Sequence, residues 1–386
     1  MKILSLTDLS SIGGAAIAGN RISETLRSNG VEVVQLSSDG RISKENRVLL
    51  NGKKFSSLDN ILSPFFSKRI AKSLRDNNIK HQFRKFLQKE CFDAINIHNL
   101  HCAGWPISLV NTALEFAPVA WTLHDCWSFL GCFHSSHCSP PSNALKKELN
   151  DFWKSLKLTK PKHSLTAATP SEWINKQASS YYWNEYEVKT VRNPVPKSFF
   201  EPLDRESCKK ALDLSLEKPI ILCIAGNLNN EMKGGAILQE ILNSDAKDHC
   251  QFLLIGEEDE LKNSETRRLG FIMDELTLRI AFNAADLLLH PAQVDNLPNT
   301  VAEAMSAGTP ILAFKTGGLP EMVIPDKSGW LVPEINAQLM ALELHSIIKT
   351  KSYKNLRNST KEIAEQLFAP KEIGKQYLEL IQGIVS

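Results

Sequence analysis

Short apolar runs alternate with longer helical stretches along the chain, and this alternation is the feature that most limits its fold. The runs in the first half are KILSLTD, VEVVQLS, AINIHNL, VAWTLHD, LTAATPS and EVKTVRN; those in the second half are IILCIAGN, QFLLIGE, RRLGFIM, ADLLLHP, PILAFK and GWLVP. Near-continuous apolar strands joined by helices are typical of parallel sheets covered on both faces. The sequence therefore predicts an α/β protein with two doubly wound, Rossmann-like domains that face each other across a ligand cleft.

The segment 193–202, NPVPKSFFEP, separates the two arrays of strands. Its three prolines fix φ and remove backbone donors, which is typical of a stiff linker. We predict a first domain over 1–195 and a second over 196–369. A weaker break, FAP at 368–370, precedes a last helix over 370–386, which we expect to pack back on the first domain.

Composition limits the functional classes. The net charge of +2 gives no support for a nucleic-acid partner. No apolar run reaches the roughly eighteen residues of a membrane-spanning helix, and the polar N-terminus does not resemble a signal peptide. Several of the eight cysteines lie in apolar strand contexts and are expected to be buried free thiols, so we expect a cytoplasmic location.

Basic residues are frequent between Lys53 and Lys89. They are consistent with a solvated helical face, or with a peripheral contact at the inner face of an anionic membrane. The sequence leaves both interpretations open.

The segment 291–314, PAQVDNLPNTVAEAMSAGTPILAF, is predicted to bind a nucleotide diphosphate. It reads as a strand end, a loop, a helix and another strand. Asn299 and Thr300 are placed just before the helix AEAMSA, where free N–H groups and the helix dipole favour anions. Glu303 is placed in the first turn, where its carboxylate can accept two hydroxyl hydrogen bonds, as from a ribose. Asp295 precedes it by eight positions.

Two glycines and three histidines of the first half are further candidates. Gly13 and Gly14 lie between the first strand and the first helix, where backbone can approach a phosphate or sugar closely, although a tight turn explains them equally well. His124 ends a strand and can hydrogen-bond a substrate hydroxyl or act as an acid or base. His98 and His101 end the neighbouring strand; they can be structural histidines, or they can line the acceptor side of the same cleft.

Lys233 follows the first strand of the second half, at or near the start of a helix, where a lysine can neutralise a diphosphate leaving group. Five residues form a cluster with spacing reminiscent of a zinc site: Cys126, Cys132, His134, His137 and Cys138. No CxxC or HxxxH pair completes a standard structural site, so we predict a loop without metal.

Together these motifs resemble the family 4 retaining glycosyltransferases of GT-B architecture, over nearly the whole chain. The strongest likeness is the segment 291–314, which is similar to the family's E-x7-E motif. The motifs GGLPE (317–321), SGWLV (328–332), TLHD (122–125) and PSEW (170–173) follow the family's order. The sequence FLGCFHSSHC resembles a branch that builds capsular, exopolysaccharide or lipopolysaccharide glycans.

The resemblance implies transfer of a sugar, with retention of configuration, from a UDP- or GDP-linked donor to a glycan or polyprenyl-linked acceptor. It implies no cofactor and no catalytic metal. The implied catalytic residues are His124, Asp295 and Lys233. The implied donor-binding residues are Gly13, Gly14, Asn227, Lys233, Asp295, Leu297, Asn299, Thr300 and Glu303.

Three positions depart from the family pattern. Asn227 stands where the family usually has an arginine, six residues before the lysine, so one cation is missing unless Arg267 or Arg268 supplies it. Asp295 stands where glutamate is commoner and has a shorter reach. Pro298 replaces a glycine and removes one N–H donor.

These departures keep two other hypotheses open beside the transferase. One is a nucleotide-sugar-binding subunit of a glycan assembly complex that is catalytically weak or inactive. The other is a sugar-nucleotide epimerase, which can share the two-domain plan but needs acid and base carboxylates in its cleft. The sequence does not identify the sugar, the nucleotide or the acceptor.

Overall fold

The structure is a computed structural model that describes residues 1–10, 13–38, 47–49, 68–132, 142–159, 161–257 and 266–385. The chain divides into two compact units. Unit 1 comprises Met1–Pro194 and Lys371–Ser386, and unit 2 comprises Val195–Pro370. Each unit is an α/β layer structure built on one parallel sheet.

Unit 1 contains a seven-stranded sheet with the order β3-β2-β1-β4-β5-β6-β7. Its strands are β1 (Lys2–Leu6), β2 (Glu32–Ser37), β3 (Arg47–Leu49), β4 (Ala94–Ile97), β5 (Val119–Thr122), β6 (Leu165–Thr169) and β7 (Glu187–Thr190). All neighbouring pairs are parallel. The central strands β4 and β5 are buried at every residue, as expected for strands covered on both faces.

The helices of unit 1 connect these strands. They are α1 (Gly14–Ser28), α2 (Lys68–Lys89), α3 (Leu109–Leu114), α4 (Trp127–Leu130), α5 (Asn143–Thr159) and α6 (Glu172–Ser179). The first of them, α1, starts after Gly13, whose φ of 95° suits a residue without Cβ, and buries Ala18, Ile22 and Leu26 against the sheet.

The chain returns to unit 1 at its C-terminus. The last helix, α13 (Pro370–Val385), buries Ile373, Tyr377 and Ile381 in the same apolar cluster as Ile3 and Ile22 of the first sheet. A hydrogen bond of 3.2 Å from Ser164 Oγ to the Ile384 carbonyl also holds the helix to this unit. The core of unit 1 therefore contains residues from both ends of the chain.

Unit 2 contains a six-stranded parallel sheet with the order β10-β9-β8-β11-β12-β13. Its strands are β8 (Ile220–Asn227), β9 (Gln251–Glu257), β10 (Thr266–Arg268), β11 (Leu287–His290), β12 (Ile311–Phe314) and β13 (Gly329–Val332). Its helices are α7 (Arg205–Ala211), α8 (Gly235–Leu242), α9 (Glu275–Ala284), α10 (Asn299–Ser306), α11 (Ala337–Thr350) and α12 (Arg357–Phe368). Buried apolar clusters cover both faces of this sheet, which confirms the prediction of two doubly wound, Rossmann-like domains.

Two strands differ from the sequence prediction. The edge strand β3 was not predicted, because its three residues carry too little pattern to distinguish a strand from a loop. The run RRLGFIM was predicted as a strand, but β10 ends at Arg268, and Phe271 and Met273 are more than half exposed. The apolar character of that run therefore does not correspond to burial.

The segment between the two units is folded rather than extended. Val195 and Phe199 are buried in a core cluster of unit 2, and Lys197–Phe200 forms a 3-10 turn. The Val195 N–H donates to the Phe368 carbonyl at 3.1 Å. The predicted stiff linker is therefore part of the packing of unit 2.

Gly329 allows β12 and β13 to pair closely. Its φ is 155°, and a Cβ at this position would lie 2.0 Å from the Ile311 carbonyl oxygen. We expect Gly329→Ala to destabilise unit 2 by about 3 kcal/mol, since the neighbouring atom is backbone and cannot move aside cheaply. In a calorimetric scan this corresponds to a fall of roughly 5–10 °C in Tm.

Gly226→Ala is the matched control, because a Cβ at Gly226 would meet no atom within 4 Å. Equal Tm values for the two variants would contradict the close approach at Gly329.

Candidate active site

The strand order of unit 2 identifies where a ligand site can form. From β8 the chain proceeds to β9 on one side and later returns to β11 on the other, so the order reverses between β8 and β11. In open parallel sheets ligands bind beyond the carboxyl ends of the strands at this switch point. The loops that follow β8 and β11 contain Lys233 and Asp295, two of the residues that the sequence predicts to be functional.

Lys233 and Asp295 form an ion pair across the switch point. The Lys233 ammonium donates to Asp295 Oδ2 at 2.6 Å, although the two residues are 62 positions apart. The Asp295 side chain is 11% exposed and that of Lys233 is 38% exposed. The tertiary structure thus joins two candidates that the sequence places in different motifs.

His290, the last residue of β11, is a third member of this group that the sequence analysis did not single out. Its Nε2 lies 3.6 Å from Asp295 Oδ2 and has no hydrogen-bond partner among the described residues. Burial by itself would raise the pKa of the Asp295 carboxyl, but the nearby Lys233 ammonium and His290 imidazole hold that pKa well below its usual range. Asp295 is therefore a buried carboxylate at neutral pH.

Two glycines in left-handed conformations hold the Asp295 loop in place. A Cβ on Gly234 would lie 2.0 Å from the Pro291 carbonyl oxygen, and one on Gly317 would lie 1.8 Å from the Asp295 carbonyl oxygen. The Gly318 N–H donates to the Asp295 carbonyl at 3.1 Å. These approaches require residues without Cβ, so the GGLPE motif positions the Asp295 backbone.

The helix after this loop begins earlier than the sequence predicts. Asn299 is the first residue of α10 and Thr300 the second, whereas both were predicted to precede the helix. Glu303 consequently lies in the second turn, not the first, and is 4% exposed. The first-turn N–H groups of Asn299 and Thr300 still lie at the end of the helix that faces the Asp295 loop.

Leu297 and Asn227 differ in how they can contribute to a donor site. Leu297 is 6% exposed and packs in a core cluster of unit 2, so only its backbone can contact a ligand. Asn227 ends β8 and is exposed, and its Oδ1 accepts the Asn229 N–H at 2.8 Å. Its side chain therefore shapes the turn that leads to Lys233 and does not supply the missing cation.

Arg267 does not supply that cation either, which corrects the suggestion from the sequence. Its guanidinium donates to the Leu212 carbonyl at 2.9 Å and to Asp213 at 3.2 Å. Arg268 lies on β10 and pairs in register with Leu254 of β9. Strands β9 and β8 separate it from the switch-point strand β11. Both arginines belong to β10 at the edge of the sheet, and the positive charge nearest Asp295 comes from Lys233.

Unit 1 repeats the same topology. The order of its strands reverses between β1 and β4, and a buried aspartate joins the loops that follow them. Asp8 Oδ2 accepts the Cys102 N–H at 2.6 Å. Gly13 and Gly14 are exposed at the N-terminus of α1, at the same edge of the sheet. Asp8 was not singled out from the sequence, where it is only the last letter of a strand motif.

His98 contacts the ring of His124. His98 is fully buried, and its Nδ1 lies 3.0 Å from His124 Nε2 with the rings stacked at 5.2 Å. This burial corrects the prediction that His98 itself contacts an acceptor. Its Nε2 has no hydrogen-bond partner among the described residues. A buried N–H without an acceptor is rarer than a buried acceptor without a donor, so Nε2 of His98 carries no proton. We therefore assign the proton to Nδ1 of His98, which donates to His124 Nε2.

Burial controls the charge of these histidines. It lowers the pKa of His98 well below the ordinary value and, with a contribution from His101, lowers that of His124 to about 4. His124 is therefore a neutral imidazole at physiological pH. With Nε2 accepting from His98, its own proton lies on Nδ1.

His101 and Asp125 lie beside this pair. His101 stacks on Trp127 at 5.0 Å, and its Nε2 lies 3.4 Å from Asp125 Oδ2. Burial raises the pKa of the Asp125 carboxyl to about 7, although it accepts the Trp127 N–H at 2.9 Å. The structure thus brings His98, His101 and His124 together, as the sequence predicts, and adds Asp125.

The predicted cysteine and histidine cluster is only partly described. His134, His137 and Cys138 lie outside the described residues, and Cys132 is disulfide-bonded. Within the ranges that the structure describes, no group of three His, Cys, Asp or Glu residues is placed to hold a metal ion. The expectation of buried free thiols is confirmed for Cys126, Cys208, Cys223 and Cys250.

The residues around Lys233 and Asp295 match a known family. The sequence over residues 218–350 matches the family described as Glycosyl transferases group 1. Unit 2 carries a group 1 glycosyltransferase domain. The matched range includes β8 to α11, and therefore both sides of the switch point.

Curated relatives share short parts of the group 1 domain. A putative colanic acid biosynthesis glycosyltransferase, WcaL, of Salmonella typhimurium is 33% identical over 108 residues, which are 26% of this chain and 27% of that protein. A GDP-mannose-dependent alpha-mannosyltransferase of Mycolicibacterium smegmatis is 29% identical over 28% of this chain and 30% of the relative. The matched stretches thus span less than a third of the length of these relatives.

Solved structures with the same fold cover nearly the whole chain. A sucrose-phosphate synthase from Thermosynechococcus elongatus aligns with a TM-score of 0.78 at 17% identity, over 99% of this chain and 98% of that one. Anabaena HepE, solved with UDP and glucose, aligns with a TM-score of 0.71 at 17% identity, over 99% of this chain and all of the other. At this identity the likeness establishes the fold, which is of the GT-B class.

Asp125 makes the stability of unit 1 depend on pH. Its pKa is raised to about 7 in the folded state, so it favours the folded state most at pH values below the unfolded pKa. This contribution is lost as the pH rises from the unfolded pKa toward 7, because the unfolded state releases its proton there while the folded state still holds one, so the free energy of unfolding falls. We therefore expect Asp125→Asn to gain stability relative to the natural protein between pH 5 and pH 8.

Urea unfolding followed by tryptophan fluorescence measures this effect, because six of the seven tryptophans lie in unit 1. A difference in free energy of unfolding that stays constant from pH 5 to pH 8 would contradict the raised pKa of Asp125.

Proposed function

We propose that the protein is a glycosyltransferase of surface polysaccharide biosynthesis. It transfers a sugar from a UDP- or GDP-linked donor to a glycan or lipid-linked acceptor, with retention of configuration and without a catalytic metal. The proposal rests on one observation above the others: Lys233 and Asp295 meet at 2.6 Å at the switch point of a group 1 domain. The names of the curated relatives and the UDP in the HepE structure support the same class of donor.

The proposed reaction breaks one bond and forms another at the anomeric carbon of the donor. The bond to the β-phosphate oxygen breaks, and the nucleoside diphosphate leaves with the electron pair. The acceptor hydroxyl oxygen bonds to the same carbon and gives its proton to the departing diphosphate oxygen. Charge therefore develops on the leaving diphosphate, where a fixed cation and helix N-termini stabilise it best.

Lys233 is the cation that suits this task. Its side chain is 38% exposed, and it follows the carboxyl end of β8. In the structure its ammonium is held by Asp295, so a diphosphate must compete with that carboxylate for it. His290 Nε2 lies 3.6 Å from the same oxygen, Asp295 Oδ2, and remains as a partner for the carboxylate when Lys233 turns to the diphosphate.

The other site residues divide between the two units in this proposal. Glu303 binds the donor ribose, and the N–H groups of Asn299 and Thr300 face the diphosphate from the start of α10. His124 of unit 1 is the catalytic candidate outside the group 1 domain, because its neutral imidazole can hydrogen-bond a sugar hydroxyl.

Removal of Lys233 tests the donor site directly. We expect Lys233→Met to weaken UDP or GDP binding by about 10- to 100-fold, since a lost charge-assisted contact costs roughly 1.5–3 kcal/mol. Isothermal titration calorimetry in EDTA measures this loss in the absence of divalent metal. Turnover of a nucleotide sugar should fall by orders of magnitude in Lys233→Met and in Glu303→Ala.

Two further variants control this experiment. Lys349→Ala removes an exposed lysine at the end of α11 and should bind nucleotide as the natural protein does. The double variant Lys233→Met with Asp295→Asn also removes the carboxylate charge that the single variant leaves unpaired. It therefore shows whether weaker nucleotide binding comes from loss of the cation or from that unpaired buried charge. Unchanged UDP and GDP binding in both Lys233 variants would refute the assignment.

The helix α2 supports a membrane-bound acceptor. It carries eight Lys or Arg residues and one Asp. Arg84 pairs with Glu115 at 2.6 Å and Lys72 with Glu148 at 2.5 Å, while Lys85 and Lys89 are exposed. We propose that this helix contacts the anionic face of a membrane. None of the described helices is long and apolar enough to cross the bilayer.

Reversal of two exposed charges tests the membrane contact. We expect the natural protein to float with phosphatidylglycerol vesicles at low salt and to be released at high salt. Lys85→Glu with Lys89→Glu should weaken this binding at least about tenfold, because each lysine near the surface contributes roughly 1 kcal/mol. Lys349→Glu with Lys354→Glu in unit 2 makes the same change in charge and should have little effect. No flotation at low salt would exclude the contact.

A further inference from the structure

A groove on unit 1, lined by aromatic and polar side chains, has no role in the donor site. Its volume is about 620 Å³, and it lies among α4, α5 and the 3-10 turn Tyr182–Glu185. This volume is within the roughly 300–1,000 Å³ of small-molecule sites. It is large enough to hold a ligand of several rings.

The aromatic residues that line the groove pack against buried side chains. The Tyr182 ring stacks on Trp153 at 5.4 Å with an angle of 9° between the rings, and Trp153 Nε1 donates to the Ser128 carbonyl at 3.1 Å. Tyr181 is 45% exposed and its ring lies 5.7 Å from that of Phe129. The groove therefore presents a flat, accessible aromatic face on a rigid support, at a low cost in side-chain entropy.

Polar groups line the groove beside these rings. Lys146 and Asn184 are exposed, and neither side chain makes an ion pair or hydrogen bond within the described part of the chain. Tyr182 donates its hydroxyl proton to Asn150 Oδ1, which leaves the Asn150 amide nitrogen as a donor. An aromatic face beside amide and ammonium donors suits a sugar ring, whose faces are apolar and whose edge carries hydroxyls. It does not suit a lipid chain.

The groove is extended and starts beside the histidine cluster. Lys146 and Lys157, both in its lining, are eleven residues apart on α5, or roughly 16 Å along a helix. Phe129 and Leu130, also in the lining, belong to α4, whose first N–H donates to Asp125. Asp125 in turn lies 3.4 Å from His101. A linear ligand in the groove can thus continue toward the end of β5 that carries His124.

We propose that this groove binds the oligosaccharide chain of the acceptor, with a preference for sugars that carry an acidic group. Lys146 supplies the cation for that group, while the charge of Lys157 is already paired with Glu185. That the bound glycan is the acceptor rests on the proposed glycosyltransferase function. Binding of the glycan itself can be measured without any transfer reaction.

A glycan array of defined neutral and acidic oligosaccharides tests the groove, with fluorescently labelled full-length protein as the probe. We expect the natural protein to bind a set of acidic oligosaccharides. Tyr181→Ala should weaken this binding at least tenfold, and Lys146→Ala should weaken it for acidic glycans more than for neutral ones. Tyr181→Phe should retain it, because the ring remains.

Two controls separate this site from the fold and from the donor site. Leu158→Ala changes a side chain of α5 that is 84% exposed and lies outside the groove, so it should not alter glycan binding. Lys233→Met should retain glycan binding while it loses UDP. Binding of no oligosaccharide on the array, or equal binding by Tyr181→Ala, would overturn the groove proposal. Loss of nucleotide binding alone would bear only on the proposed function.

Discussion

The ion pair between Lys233 and Asp295 is the interaction on which the candidate active site depends. It joins the loop after β8 to the loop after β11 at 2.6 Å, where the order of the strands reverses. Asp295 is buried, and it is stable as a carboxylate because Lys233 and His290 lie beside it. A buried charge without such partners would cost several kcal/mol. The pair thus holds a lysine beside the loop that leads into α10.

Unit 1 uses the same topology with different chemistry. The Asp8 side chain at its switch point accepts hydrogen bonds from backbone N–H groups of the loop after β4. Nearby lie neutral histidines and a carboxyl with a raised pKa. Burial of these groups is the common cause, since it disfavours the charged form of each. Unit 2 therefore holds a charged pair at its switch point, whereas unit 1 holds neutral histidines beside its own.

Much of the fold was predictable, because the pattern of apolar strands and helices is local. Eleven of the twelve predicted runs contain a whole strand, whereas RRLGFIM shares only Arg267 and Arg268 with β10. Motifs in the sequence predicted Lys233, Asp295 and His124 as site residues, and the structure places Lys233 beside Asp295. His290 and Asp8 were missed because each is a single residue at the end of a strand and belongs to no motif. Only the residues that lie beside it in the tertiary structure give it a role. Arg267, which the sequence offered with Arg268 as a replacement for the missing cation, does not supply it, because its side chain donates to the Leu212 carbonyl and to Asp213.

The sequence by itself determined the class of fold and the motifs of the group 1 domain, because periodicity, glycine positions and motif spacing are properties of adjacent residues. Only the tertiary structure decided which candidates meet. It paired Lys233 with Asp295 over 62 positions, buried His98 beneath His124, and moved Glu303 into the second turn of its helix. Contacts of this kind depend on strand order and on burial, which bring distant residues within a few ångströms and set their charge.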